Sequence, residues 1–278
     1  MQLSIVVPNY EYGNFADRFF GSIAGQTLAL DQVEIVFVDD GSRDNSLEQA
    51  HRWAQQLPCA NFRILTPSRT GKPGLVRNHG LEHASGELLL CLDPDDTLLP
   101  GYLERCVTTL IHDTSIDVVY TDYREVGVGD GRDVRLPDFK RGLLRTQNAL
   151  PPSAMIRRSL WDSGVRFRDN TEYEDWDFWV QCQMAGASFR RIPEVLFEYT
   201  LHDNNFSHHA VRHDGHAKAR IVLNNPDFFH PEVRRWADSY LRGRLHGQAM
   251  QRGYIPTPSD VKKLLMDVET RVRDLDAQ

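Results

Sequence analysis

Nowhere does this chain run apolar for anything near the length of a bilayer span, so no membrane-crossing helix is expected. A basic block is missing too. Lys and Arg number 32 against 39 Asp and Glu, a formal net charge of −7, and a nucleic-acid surface is not indicated. Cysteine is sparse: Cys59, Cys91, Cys106 and Cys182 are scattered, with no Cys-x-x-Cys pair. That speaks against a cysteine metal site or a disulfide framework, and for reduced thiols in a cytosolic protein. The strand-like Leu3 to Val7 opens the sequence without a signal-peptide pattern, so a secretory leader is not expected. The expected location is cytoplasmic, with peripheral association at the inner face of the membrane left open. Gly-x-Gly-x-x-Gly and Gly-Lys-Ser/Thr are both absent, so a glycine-rich loop is not the expected way to hold phosphate.

What is present is a set of short apolar runs that stop at acids. Leu88 to Leu92 is unbroken and ends at Asp93-Pro-Asp-Asp-Thr97. Such a run reads as a strand buried on both faces, and Pro94 ends its ladder. Asp93, Asp95 and Asp96 then lie at the carboxyl end of a central strand, where open α/β sheets bind ligands. Clustered carboxylates repel one another and resist desolvation, so a cation is their natural partner, and all-oxygen ligands suit Mg²⁺ or Mn²⁺. A solvated acidic turn is the plainer alternative for so short a motif.

The first hundred residues alternate. Strands are expected over Leu3–Pro8, Val33–Val38, Phe62–Leu65 and the run to Asp93, with helices over about 15–26, 46–56 and 75–84 between them. Gly71 to Gly74 reads as a flexible turn. Alternation implies right-handed crossovers and a parallel sheet, which gathers Pro8–Tyr10, Asp39–Asp40 and Asp93–Asp96 on one edge. Beyond Pro100 come a helix over 102–111, a strand at 118–120, a polar loop or hairpin over 127–140, an extended 151–156, a helix over 175–184 and a strand over 195–199. Trp176 and Trp179 are expected in the core rather than as a sugar platform. The tail from about Glu232 is helical, with Thr257 capping the last helix and Pro258 at its first position.

Four motifs stand in order: Val7-Pro-Asn-Tyr10, Val38-Asp-Asp-Gly-Ser42, Leu92-Asp-Pro-Asp-Asp96 and Glu174-Asp175-Trp176, with Arg77-Asn78-x-Gly80 between the second and third. The set resembles a family 2 glycosyltransferase of the GT-A fold, over roughly residues 3 to 205. The resemblance implies an α/β, Rossmann-like, mostly parallel central sheet flanked by helices, with a C-terminal helical extension. Residues 1–100 would form the nucleotide-sugar half, 101–205 the acceptor half and 206–278 the extension. It implies that Pro8 and Tyr10 pack on the donor base, that Asp40 accepts from a base N–H, and that Asp95 lies near the ribose. Asp96 would be the direct metal ligand and Asp175 the catalytic base. His202, in Tyr199-Thr-Leu-His202, resembles a late histidine facing the diphosphate or metal. Arg77 is assigned to the donor site, although pairing with the diphosphate and pairing with a helix carboxylate are both open. Asp39 is expected to hold its own turn. Glu11 stands where the family commonly has Asn, and the family often has Arg near Thr200.

The implied reaction is an inverting, metal-dependent transfer, with Mn²⁺ or Mg²⁺, from a nucleotide diphosphate sugar, UDP-linked by preference. The acceptor is a hydroxyl on a glycan, a lipid-linked or a small molecule. Homo-oligomerisation through the C-terminal helices is a further expectation. Three rivals stand beside it. Asp93-Pro-Asp-Asp-Thr97 also matches the nucleophile turn of haloacid-dehalogenase-like phosphatases, but three strands precede it here. A nucleotidyltransferase would want Lys or Arg between Pro8 and Asn14, where there is none. A non-catalytic sugar-nucleotide-binding protein would be expected to lack the acids. His208, His209 and His213 read as solvated loop rather than as a metal site.

Overall fold

The computed structural model describes residues 2–127, 131–202, 212–244 and 250–276, with side chains to residue 267. His208 and His209 lie outside the described residues. The strands are β1 (Leu3–Asn9), β2 (Val33–Asp39), β3 (Asn61–Leu65), β4 (Leu88–Cys91), β5 (Thr97–Leu98), β6 (Val118–Val126), β7 (Arg132–Val134), β8 (Met155–Arg157) and β9 (Phe189–Thr200). The helices are α1 (Ala16–Ala24), α2 (Ser46–Ala54), α3 (Pro73–His83), α4 (Tyr102–His112), α5 (Arg158–Asp162), α6 (Glu174–Met184), α7 (Asp214–Asn224), α8 (Pro231–Leu241) and α9 (Pro258–Asp276).

The strands form one sheet of order β3-β2-β1-β4-β8-β6-β9-β5, with β7 paired to β6. β3, β2, β1 and β4 are mutually parallel, as alternation with helices dictates. β8 runs antiparallel to β4 and β6, and β9 is parallel to β6, so the sheet is mixed beyond β4. Every residue of β1 and β2 is buried, which is why both read as continuous apolar runs. On one face α1 brings Phe19, Phe20 and Ile23 into the core, where Phe20 meets Phe37 and Phe62 at ring-centroid distances of 6.2 and 5.6 Å. Each such ring contributes about 2–3 kcal/mol by leaving water. On the other face α3 lies so close that a Cβ on Gly80 would stand 2.3 Å from Val6 Cγ1.

The amino edge of the sheet is tied by a buried carboxylate. Glu34 accepts from Ser4 Oγ (2.6 Å), Ser85 N (2.7 Å), Ser85 Oγ (2.8 Å) and Asn61 Nδ2 (3.2 Å), with Arg63 Nε 3.2 Å away. These bonds join β1, β2, β3 and the turn before β4 at the end opposite the acidic motifs.

Packing divides the chain differently from the halves read at 1–100 and 101–205. One unit comprises Met1–Phe139, Leu150–Phe167 and Ala185–Asp203, and holds the sheet. The other comprises Lys140–Ala149, Arg168–Met184 and Asn204–Gln278, so α6 packs with the C-terminal helices. Several expectations shift. Gly71 to Gly74 is no free turn, because Pro73 opens α3. The hairpin expected over 127–140 is present as β6–β7, but β6 extends to Val126 and β9 begins at Phe189 rather than near 195. Helix α7 had no sequence expectation. Thr257 does cap α9: its hydroxyl and the Asp260 carboxylate bond across the first turn at 2.6 Å.

Candidate active site

The ends of β1, β2 and β4 meet at one edge because the three strands are parallel and in register, Asn9 opposite Asp39. Asp39 serves its own turn, as expected. Its Oδ2 accepts from Gly41 N and Ser42 N (3.2 and 2.9 Å), and its Oδ1 from Asn9 Nδ2 (2.8 Å). Asp40 points the other way and clasps the next loop: Oδ1 accepts from Thr70 N (2.6 Å) and Oδ2 from Gly71 N (2.7 Å). Each oxygen keeps a second lone pair for a ligand donor. The clasped loop sets Arg69 over Tyr10, its guanidinium carbon 4.1 Å from the ring centroid. Pro8 is buried in β1, paired with Val38.

The acidic turn follows β4. Arg77, 4% exposed on α3, spends its guanidinium on Asp93, with Nη2 at 2.8 and 2.9 Å from the two oxygens. Arg77 thus braces the acidic motif from α3. Asp95 and Asp96 are both buried. Burial first, and then the neighbouring Asp93, pushes the Asp95 carboxyl up to about 6, against the pull of His202. Burial, followed by Asp95 and Asp93, holds Asp96 well above the usual carboxylate range, although Thr200 N donates to its Oδ1 at 2.9 Å. Thr200 Oγ1 also donates to the Asp95 carbonyl, so this residue of β9 binds the acidic turn through both its backbone and its hydroxyl.

His202 pairs its Nε2 with Asp95 Oδ2 at 3.0 Å. Its ring lies 5.9 Å from Tyr12 and 5.2 Å from Phe15. The Tyr12 hydroxyl is pushed above the usual tyrosine range by burial and then by Asp95, Asp93 and Asp96. This side of the site therefore carries negative charge that burial makes costly. The donor set fits a hard divalent ion of the kind held by one or two carboxylates plus substrate phosphate oxygens. Among the described residues no group of three or more His, Cys, Asp and Glu is arranged to hold an ion unaided, so further ligands would come from substrate.

In the second unit Asp175 lies in the first turn of α6. Its Oδ1 accepts from Trp176 N (2.8 Å) and its Oδ2 from Asn148 Nδ2 (2.8 Å). Trp176 and Trp179 are buried, as expected, and Trp176 Nε1 donates to the Leu144 carbonyl at 2.8 Å. Arg69, Tyr12, Thr200 and Asn148 had no role on sequence grounds. Each acts through a loop or strand partner distant in the chain; Tyr12 carried a cue in its place in the loop after β1, and Thr200 in its place two residues before His202.

A family model described as Glycosyl transferase family 2 matches residues 4–171. The chain belongs to glycosyl transferase family 2. The fold is accordingly the GT-A arrangement. Among relatives of this family 2 chain is poly(ribitol-phosphate) beta-N-acetylglucosaminyltransferase TarS of Staphylococcus aureus, 33% identical over 244 residues, 84% of this chain and 39% of that protein. Another is chondroitin synthase of Pasteurella multocida, 27% identical over 210 residues, 74% of this chain and 21% of that protein. The chain thus spans only about a fifth to two fifths of these relatives. The solved structure of S. aureus TarS residues 1–349 with UDP-GlcNAc superposes with a TM-score of 0.68 at 22% identity, over 80% of this chain and 66% of that one. The Pyrobaculum calidifontis mannosyltransferase PcManGT, with GDP-Man and Mn²⁺, gives 0.62 at 19% identity, over 96% and 69%. At these identities the likeness is one of fold. No described helix is long and apolar enough to cross a membrane.

Proposed function

We propose that this chain transfers a sugar from a nucleotide diphosphate sugar, UDP-linked by preference, to a hydroxyl acceptor with inversion at the anomeric carbon. The observation that carries the reading is the acidic turn, Asp93 to Asp96, with Asp95 and Asp96 buried, beside Tyr10 and Asp40 on the carboxyl edge of the sheet. That edge is where an α/β sheet receives a nucleotide. Tyr10, backed by Arg69, offers a face for the base. The remaining lone pairs of Asp40 offer an acceptor for a base N–H. Relatives whose names and titles give UDP-GlcNAc or GDP-Man as ligand support the donor class.

Asp96 and Asp95, with His202 alongside, are the residues that would hold Mn²⁺ or Mg²⁺. When bound, such an ion offsets the charge that develops on the leaving diphosphate. Asp175 is assigned as the base. The acceptor hydroxyl gives its proton to the Asp175 carboxylate as its oxygen bonds to the anomeric carbon. The bond from that carbon to the diphosphate oxygen breaks, and the nucleoside diphosphate leaves with the electron pair. One base and a direct displacement give inversion. Asn148, bonded to Asp175, orients the carboxylate.

The test is a panel of UDP-sugars and GDP-mannose, read by nucleoside diphosphate release, together with calorimetric binding of UDP with and without Mn²⁺. Asp96→Ala is expected to lose the metal-dependent part of UDP binding. Asp175→Asn is expected to bind UDP normally and to lose transfer by about 100-fold or more, the scale of general base catalysis. Unchanged turnover in Asp175→Asn removes it as base, and unchanged metal dependence in Asp96→Ala removes the metal assignment.

A further inference from the structure

The segment that leads into α6 is bonded along its length to α7 and the residue just past it. Arg168 Nη1 donates to Asn225 Oδ1 at 3.0 Å and to both Asp177 oxygens at 3.1 and 3.2 Å. The side-chain amides of Asn170 and Asn224 exchange bonds of 2.9 and 2.8 Å. Thr171 Oγ1 donates to the Ala217 carbonyl (3.0 Å) and accepts from Tyr173 N (3.2 Å). Tyr173 Oη donates to Asp214 Oδ1 at 2.9 Å, and Asp214 is fixed in turn by the fully buried Lys218 at 2.6 Å. From within α6, Asp177 is wholly buried and collects Asn225 Nδ2 (2.7 Å) and Gln181 Nε2 (2.9 Å).

Burying a carboxylate and a lysine and using up so many side-chain donors is costly unless each is paired, and here each is. The bonds converge on one short stretch, residues 168–177, which carries Asp175 in the first turn of α6. Glu174 is buried and Asp177 is committed to this network. Helix α7 lies wholly outside the residues the family model matches.

We infer that α7 is a positioning element for Asp175. Thr171, Tyr173 and Asp177 transmit its position to the first turn of α6 and so set where the carboxylate stands for proton abstraction. The inference rests on the reading of Asp175 as base. Thr171 is the narrowest link, since its one hydroxyl joins the α7 backbone to the turn before Asp175. A carboxylate displaced by about 1 Å loses on the order of 100-fold in rate, while donor binding does not depend on it.

The experiment compares Thr171→Val, which keeps shape and loses the hydroxyl, with Thr171→Ser, which keeps the hydroxyl. UDP release from a UDP-sugar with water as acceptor reports kcat and donor KM, calorimetry reports UDP affinity with Mn²⁺, and thermal unfolding reports stability. Expected are a kcat lowered about 10- to 100-fold in Thr171→Val, donor KM and UDP affinity unchanged, and kcat restored in Thr171→Ser. Asn224→Ala, a change on a partly buried residue at the end of α7, gives the same split where Thr171→Val does not fold. A lowered melting temperature with unchanged kcat overturns the inference, as does a loss that Thr171→Ser fails to restore. Asp175→Asn run in parallel separates the two levels. If it retains turnover, the base reading fails. If it loses turnover while Thr171→Val keeps its kcat, only the role of α7 fails.

Discussion

Glu11 has a backbone φ of +59°, the one non-glycine residue with positive φ among the described residues. Its N–H donates to Ser42 Oγ at 2.8 Å, which holds the first loop in this conformation. Left-handed backbone suits Asn far better than Glu, because a short amide can bond locally. The family's habitual Asn at this position thus has a conformational reason. Glu11→Asn is expected to raise the unfolding free energy by about 0.5–1 kcal/mol, measured by urea titration, and a lowered midpoint would refute the strain. Residue-scale readings succeeded where a side chain serves its own neighbourhood, as Asp39 does. They ran short where a side chain reaches across the chain. Asp40 bonds thirty residues on, to Thr70 and Gly71, and nothing near Asp40 in sequence marks that loop.

At the scale of elements, periodicity found the strands and helices that bury large apolar side chains and passed over those that do not. Helix α7 buries Gly215, Ala217, Ala219 and a lysine, so its inner face carries little hydrophobic signal beyond Ile221 and Val222. β5 has only two residues and exists through its pairing with β9. Glu34 is a second case: a charged residue inside an apolar strand, it ties the amino edge of the sheet. Burial raises its carboxyl, but the bonds from Ser4 and Ser85 and the Arg63 guanidinium outweigh that and hold it below the usual glutamate range. A group whose folded pKa is depressed stabilises the fold above its unfolded pKa, about 4.3, and loses that contribution as pH falls through the folded value. Glu34→Gln is therefore expected to cost about 2 kcal/mol at pH 7, with the difference from the parent narrowing below about pH 4. Urea titrations at pH 7, 5 and 3.5 measure it, and a difference constant across that range would show that the charge is not the cause.

On the scale of the whole molecule, the two packing units interleave along the chain. All of the sheet-bearing unit lies before residue 204, whereas the other unit draws on 140–149, 168–184 and everything after 203. The expected boundary near 205 followed the last motif in the sequence, and motifs say nothing about which helix a given segment packs against. A chain ending at residue 205 would keep every residue of the first unit and strip α6 and the segment before it of their bonds to α7 and Asn225. Limited proteolysis of that shortened chain is expected to cut first within 168–184, and UDP release is expected to be lost. Protection of that stretch equal to the full chain would contradict it. For recombination between relatives, the interleaving dictates how pieces can be exchanged. A chimera joined at one crossover near the end of β9 would pair one parent's α6 with a foreign α7, mismatching amides and carboxylate. Segments 140–149, 168–184 and the C-terminal helices have to be inherited together, as one heritable block written in three places.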